Sequence, residues 1–556
     1  MAQQPPWVEG DEIFEAYFFD DTPMVRVVMR WWFQVDGVLD PQMLHTSLHR
    51  LIEIPTWRRL GGRLRLNRTT NKLEFHIPPA FDRNRPAVRF SHHQIDTSID
   101  SHPVSNFLPK PTPDNKPSVQ DYQPPLALQV ISFTDSTIVT LNFPHALTDA
   151  IGLSFLIKNR CHILANPDSG PGQILPLPQS DPLLQIPPPT EPPLLEKHAI
   201  TPAKFRILFA FFLGDMMLGP KMSSRMRVLF LPASKIRALM SYYAPESQNK
   251  KEEEENKIST GDLLSSITIH SILQTSPHYF LIPRSLTIFN TFELRSRLPS
   301  LFPPSQTHIQ NAFLTTTTII PSSQLKSITP TSMAVSLRNS LTQQTTPSQI
   351  SALISSQRRS LTQRGRPAVY SHLNGFIIPV SNWSKCDLFT LPNFGPAVLL
   401  GKKGSGSGTV KMYNAFDADK QTGSRHRNVT NVLGRDQAGN YWIAGTLSDK
   451  AWERLVGLVR GVPDLNESRE DIAELREAGV PVGMSMKGDL AQEQVEEEGK
   501  GGQMKSGQQG DDQIQSSNER KGDDIPQEVP VTEDIRHNVP KGATQVVRKA
   551  VPDGWK

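Results

Sequence analysis

Apolar side chains change their spacing several times along this chain, and each change marks an element. Residues 25–35 (VRVVMRWWFQV) concentrate β-branched and aromatic side chains, which predicts a strand. Asp40-Pro41 follows, an N-cap ahead of a proline at the first helical position, and Leu44, Leu48, Leu51 and Ile52 then recur on one face of an amphipathic helix. Residues 126–133 and 137–143 are strand-like runs around Asp135-Ser136 and predict a hairpin. Residues 154–164 have helical spacing. The most apolar stretch, residues 205–218 (FRILFAFFLGDMML), contains Arg206 and Asp215 and is too short to cross a bilayer, which takes about 20 residues. It predicts an amphipathic helix on the protein body, with a membrane-surface role as the lesser reading.

Between these segments proline breaks the pattern. Residues 167–202 include Pro187-Pro188-Pro189 and Pro192-Pro193, where helix and ladder hydrogen bonds are repeatedly lost, and predict an extended linker. Strand, helix and strand on both sides of it imply an α/β fold of two packed domains. The expected division is an N-terminal domain at 1–166, a Pro-rich crossover with its amphipathic helix at 167–222, a second domain at 223–470 and a charged tail at 471–556. Residues 487–556 hold one aromatic, Trp555, with 14 acidic and 10 basic residues, a composition that predicts disorder. Residues 250–257 (KKEEEENK) read as an exposed loop.

A length of 556 residues exceeds a single-module binder, and the net charge of +4 rises to +8 on residues 1–486 once the acidic tail is removed. That mild, diffuse excess suits an anionic ligand and does not argue for nucleic acid. Two cysteines, Cys161 and Cys386, cannot make a disulfide framework, and the opening residues MAQQPPWVEGDE show no secretory signal. A cytoplasmic protein with no transmembrane segment is expected, its sequons at Asn67, Asn382, Asn428 and Asn466 unused.

The hairpin runs into Pro144-His145-Ala146-Leu147-Thr148-Asp149, so His145 stands in a strand-to-helix connection where a scaffold can present it to a cleft. One imidazole can take and return a proton near neutral pH, and Asp149, four residues on, can turn back to fix the loop or the ring. A bare H-x-x-x-D is common by chance, and a structural surface histidine is its commoner meaning. Other motifs carry less. GPAVLLGKK at 395–403 has the wrong glycine spacing for a phosphate loop and Lys403 where Ser or Thr is needed. Cys386 has no neighbouring histidine, Cys161-His162 lacks partners at metal spacing, and no metal is assigned. Asp20 and Asp21 show no acid–base geometry that sequence reveals.

The phrase LNFPHALTDAIGL resembles the H-x-x-x-D signature of the BAHD acyltransferases, in particular the fungal members. Other blocks agree in order: residues 57–78 with the W-x-x-L-G-G-R-L block, 230–239 with the strand and helix after the crossover, 258–264 with the S-t-x-D segment, 294–311 with R-x-R-l-x-P…N-a, 381–397 with S-W…D-F-G-W-G, and 441–455 with the C-terminal helix region. The resemblance spans residues 8–465. It departs at Asn393-Phe394-Gly395-Pro396-Ala397, where the family has D-F-G-W-G, and at Ala150 in place of Gly.

The resemblance implies two chloramphenicol-acetyltransferase-like α/β domains and a solvent channel between them. It implies a monomeric enzyme that moves an acyl group, acetyl or another short chain, from acyl-CoA to a hydroxyl or amine of a small molecule, a fungal secondary metabolite. It has no bound cofactor. His145 would be the base, with Asp149 beside it, while Ser381 and the Trp383 indole would donate to the oxyanion or orient the acceptor. Asn393, Phe394 and Gly395 would form the structural motif, with Asn393 accepting a hydrogen bond from Arg295 or Arg297. Two rival readings are a carrier-protein-dependent condensation domain, whose H-H-x-x-x-D-G has Pro144 and Ala150 here, and a non-catalytic binding relative.

Overall fold

The structure, a computed structural model, describes residues 8–101, 124–168, 174–218, 224–243, 257–276, 283–400, 407–417 and 428–463. Residues 250–256 of the charged loop and the tail at 471–556 lie outside the described residues. In chain order the strands are β1 (Glu12–Glu15), β2 (Val28–Asp36), β3 (Val38–Leu39), β4 (Arg63–Asn67), β5 (Lys72–Ile77), β6 (Arg89–Gln94), β7 (Ala127–Ser132) and β8 (Ser136–Pro144). In the second half they are β9 (Ser224–Leu231), β10 (Leu286–Glu293), β11 (Phe313–Ile320), β12 (Phe376–Asn382), β13 (Val398–Leu400), β14 (Val410–Asp417), β15 (Val429–Arg435) and β16 (Tyr441–Ser448).

Helix α1 (Pro41–Glu53) starts where the pattern placed it, because the Asp40 carboxylate accepts from the amides of Gln42 and Met43. Leu44, Leu48, Leu51 and Ile52 are its buried face, each contributing about 1.5–3 kcal/mol of burial. They share one hydrophobic core with Trp31 and Phe33 of β2 and Val139 and Leu141 of β8. The predicted hairpin is the antiparallel β7–β8 pair of a five-stranded sheet ordered β14-β2-β8-β7-β6. A six-stranded sheet ordered β11-β10-β12-β15-β16-β9 forms the other half. One of its faces, with Ile288, Ile378, Val380, Val432 and Ile443, packs on helices Thr260–Gln274, Pro330–Gln344 and Asp449–Arg460.

The two halves are interleaved more than the chain order suggests. Strand β14 comes from the second half yet completes the first sheet, paired along β2 from Val410↔Val35 to Asp417↔Met29, and β13 pairs with β3. Residues 1–485 accordingly form one compact unit.

The Pro-rich segment differs from a bare spacer. Residues 174–201 are a strap whose carbonyls are captured by side chains: Tyr17 donates to Pro178 O at 2.6 Å, Trp57 to Leu175 O at 3.1 Å and Arg59 to Pro178 O at 3.1 Å. On the other half, Ile200 N–H donates to Val369 O at 2.8 Å, and Leu177 and Leu183 are buried. Proline denies a ladder and these donors replace it. Helix α2 spans Ala150–Ala165, and α3 spans Pro202–Leu218. The latter corrects the expectation of an amphipathic helix. Leu208 is buried, while Ile207 and Phe209 are exposed, so apolar residues stand on both its covered and its open sides. It is held through Phe205, under Arg366 at 4.5 Å, and Phe211, under Arg284 at 5.2 Å. Among the described residues no helix is long and apolar enough to cross a membrane.

Candidate active site

Strand β8 ends at Pro144, and the chain turns at once. His145 N–H donates to Val27 O at 2.7 Å and Leu147 N–H to Pro144 O at 2.8 Å. Asp149 is then the N-cap of α2, accepting from Gly152 N–H at 2.8 Å, so the helix begins four residues earlier than its apolar spacing indicates. The connection between the Val27 bond and this cap is the segment that carries His145.

A strip from the second half, residues 308–312, clamps that connection. Thr148 Oγ1 donates to Ile309 O at 2.6 Å, Asn311 Nδ2 donates to His145 O at 2.8 Å, and Ala312 N–H donates to Asp149 Oδ2 at 2.9 Å. Arg295 closes the clamp with a two-pronged ion pair, its terminal nitrogens 3.1 Å from Asp149 Oδ2 and 3.1 Å from Oδ1. The same guanidinium donates to His308 O at 2.8 Å and to Gln310 O. Both partners are buried, and the four hydrogen bonds of the guanidinium offset part of the cost of removing the charges from water.

Behind the clamp lies Asp20, buried, with Oδ1 accepting from Asn311 N–H at 2.8 Å and Asn311 Nδ2 at 2.7 Å. Burial raises its carboxyl to about 7, opposed by those two bonds and by the Arg59 charge. Asp20, Asn311 and His145 thus form a relay of hydrogen bonds between three distant parts of the chain. Sequence reasoning missed the part played by Asp20 and Asn311. Asn311 stood in a resembling block without a role, and nothing local distinguishes a buried Asp20 from a loop aspartate.

His145 is half-buried, and its ring lies 5.7 Å from that of Phe313, inclined at 43°. Its backbone is gripped at both N–H and C=O. The remaining predicted residues scatter. Ser381 Oγ donates to Thr291 Oγ1 at 3.3 Å on the six-stranded sheet, and the Trp383 ring lies 4.7 Å from that of Trp31 on β2. Asn393 corrects an expectation: it is exposed, its Oδ1 accepts from Gly395 N–H at 2.9 Å, and Arg295 is committed to Asp149 instead. Arg297 lies over the Phe292 ring at 5.3 Å. Phe394 is buried beneath Arg160 of α2, 5.6 Å away. Cys386 is buried, and that burial, with the Asp149 charge, pushes its thiol up and away from nucleophilic use.

No family model matches the chain. It is 30% identical over 498 residues to the O-acetyltransferase PaAT-2 of Phomopsis amygdali, covering 82% of this chain and 99% of that protein. It is 28% identical over 495 residues to the acetyltransferase BOT5 of Botryotinia fuckeliana, covering 80% and 89%. Its fold is similar to that of F. graminearum TRI101, solved with coenzyme A and deoxynivalenol, with a TM-score of 0.55 at 14% identity over 80% of this chain and 96% of that one. The chain belongs to the family of these fungal acetyltransferases.

Proposed function

We propose that the enzyme transfers an acyl group, acetyl or another short chain, from acyl-CoA to a hydroxyl or amine of a small secondary metabolite, with His145 as general base. The observation that carries this reading is the clamp. Thr148, Asp149, Asn311 and Arg295 fix the loop that carries the half-buried His145, with partners from both halves of the molecule. In this reading the imidazole takes the proton of the acceptor, whose oxygen or nitrogen forms a bond to the thioester carbonyl carbon. The tetrahedral oxyanion then collapses, the carbon–sulfur bond breaks, and the proton passes from His145 to the departing thiolate. Ser381 and Trp383 are the candidate oxyanion or acceptor donors, Ser381 supported by its half-buried place on the sheet face that also carries Phe313. Coenzyme A is a co-substrate, consistent with its presence in the TRI101 structure.

We further propose the division at 1–166, 167–222 and 223–470 as an evolutionary one, with β14 lent to the first sheet. A cytoplasmic monomer completes the reading, supported by two free, buried cysteines. Sedimentation and cell fractionation test that part. The function is tested with a panel of acyl-CoAs and candidate acceptors, reading product mass. His145→Ala should keep the fold and lose about two to four orders of magnitude in turnover. Acceptor-dependent release of CoA thiol by the variant at the parent rate would overturn the mechanism.

A further inference from the structure

Helix α3 is about 25 Å long, and one side of it is open to solvent. Ala203, Arg206, Ile207, Phe209 and Ala210 are exposed, and a Cβ built on Gly214 would meet nothing within 4 Å. At about 100° per residue these positions share an arc of roughly 160°, with the buried Leu208 on the opposite side. Ile207 and Phe209 are each 46% exposed, so this arc presents large apolar side chains to water instead of the polar face a surface helix normally shows. Leu373, 39% exposed, belongs to the loop that holds the helix: Asn374 O accepts from Arg284 Nε at 2.7 Å, and that guanidinium lies over Phe211. Cations accompany the patch. Lys204 and Arg206 stand on α3 itself, Arg366 lies over Phe205 at 4.5 Å, and exposed Arg364 ends the helix Pro347–Arg364 just before it. Among the described residues none of the four makes an ion pair. The exposed acids of the strap ahead of α3 are engaged elsewhere, Glu191 by Ser348 and Gln349 and Glu196 by Arg359. The one acid in the helix sequence is Asp215.

We propose that this face seats the protein on the surface of a bilayer containing anionic lipid. Helix α3 lies in the plane of the membrane, with Ile207, Phe209 and Ala210 at the boundary of headgroups and acyl chains, and Lys204, Arg206, Arg364 and Arg366 at the phosphates. Arg206 stands within the apolar arc, and its long stem lets the guanidinium reach back to the headgroups while its methylenes stay among apolar neighbours. The charge decides between occupants. Two large apolar side chains on one helix are little beside the roughly 800 Å² that a stable protein interface buries on each partner. An interfacial helix, by contrast, binds by adding shallow apolar insertion to the attraction between unpaired cations and anionic lipid. The helix is too short to cross the membrane, so it rests on one leaflet. The proposal makes no use of His145 and is independent of the acyltransfer reading.

The test floats the full-length protein with vesicles of phosphatidylcholine alone and of phosphatidylcholine with about 30% phosphatidylserine. The parent is expected to bind the anionic vesicles about tenfold more tightly, and less so as salt is raised. Ile207→Ser with Phe209→Ser should weaken that binding at least about tenfold while the melting curve stays that of the parent, because both side chains are exposed. Ile207→Leu with Phe209→Trp, which keeps the apolar face, should preserve binding and so separates lost insertion from a folding defect. Lys204→Gln with Arg206→Gln should lower binding about fivefold or more and narrow the difference between the two lipid mixtures. No binding to either vesicle, equal binding to both, or parent-like binding by the serine pair, which would place the contact elsewhere on the chain, would each overturn the proposal. So would a dimer in sedimentation that the serine pair dissolves without any vesicle binding, since a second copy would then be what covers the face.

Discussion

Asp149 and Arg295 meet from opposite halves of the chain in a buried, two-pronged ion pair, with both distances 3.1 Å, four residues from the histidine that the site presents. The aspartate also caps α2 and accepts the Ala312 amide, so one carboxylate ties helix, loop and second-half strip together. Arg295→Met would leave that carboxylate buried beside no cation. Removing one partner of such a pair typically costs about 3–5 kcal/mol, so the variant should melt well below the parent and transfer acyl groups more slowly through a displaced His145. A parent-like melting curve would mean that the pair does not hold the loop.

Asp20 makes stability depend on pH in a specific direction. Its carboxyl is raised from an ordinary 3.8 to about 7 by burial, so the folded state holds a proton that the unfolded chain has already released. Its contribution is therefore fully present below about pH 4 and is lost as pH rises through about 7. Buried His308, lowered to about 4, has the opposite slope: its contribution is present above the ordinary histidine range and is lost as pH falls toward 4. The difference between parent and Asp20→Asn isolates the aspartate. Asn can still accept from Asn311, and the variant should gain stability over the parent from pH 5 to pH 8, on the order of 2 kcal/mol by the upper end. Parallel stability profiles for the two proteins would refute the shifted carboxyl.

How far the sequence reading reached follows from which interactions are local. The Asp40 cap, the Leu44-Leu48-Leu51 face of α1 and the β7–β8 hairpin are decided within a dozen residues, and all were readable. So was the placing of His145 between strand and helix. The partner of Arg295 was not, because Asp149 and Asn393 are both polar acceptors and only the packing of 308–312 across the loop chooses between them. Strand β14 looks like any second-half strand until its pairing with β2 is seen. Helix α3 misled because its apolar residues do not keep to one face: Leu208 is covered while its neighbours Ile207 and Phe209 are open.

Gly152 offers a sharp steric test of the clamp. A Cβ built there would stand 2.0 Å from Ile309 O and 2.2 Å from Thr148 Oγ1, the two atoms that join the loop to the second half. One neighbour is backbone and cannot rotate away. Alanine is normally the better helix residue, by up to about 1 kcal/mol over glycine, yet Gly152→Ala should destabilise by roughly 1–3 kcal/mol and depress turnover. A gain in stability would mean that the strip at 308–312 does not press on α2 as described.

Asn393 is the place where the family's pattern and this chain part, and the structure changes what its substitution should do. Arg295 makes four hydrogen bonds, to Asp149, His308 O and Gln310 O, and Arg297 lies over Phe292. A carboxylate at 393 would stand on a side chain turned to Gly395 N–H, apart from the Arg295–Asp149 pair. It would also be exposed, so little desolvation opposes it, and it can keep the bond from Gly395 N–H that the amide oxygen now accepts. The nearest structural link to a buried cation runs through Phe394 to Arg160, whose guanidinium is lowered to about 10 by burial. An exposed carboxylate acting at that remove is screened by solvent. Asn393→Asp should thus move stability by no more than about 0.5 kcal/mol, and a double-mutant cycle with Arg295→Met should show no coupling beyond the usual 0.3–0.5 kcal/mol. Coupling above about 1 kcal/mol would put Asn393 back within reach of Arg295 and contradict the clamp's exclusive hold on that arginine.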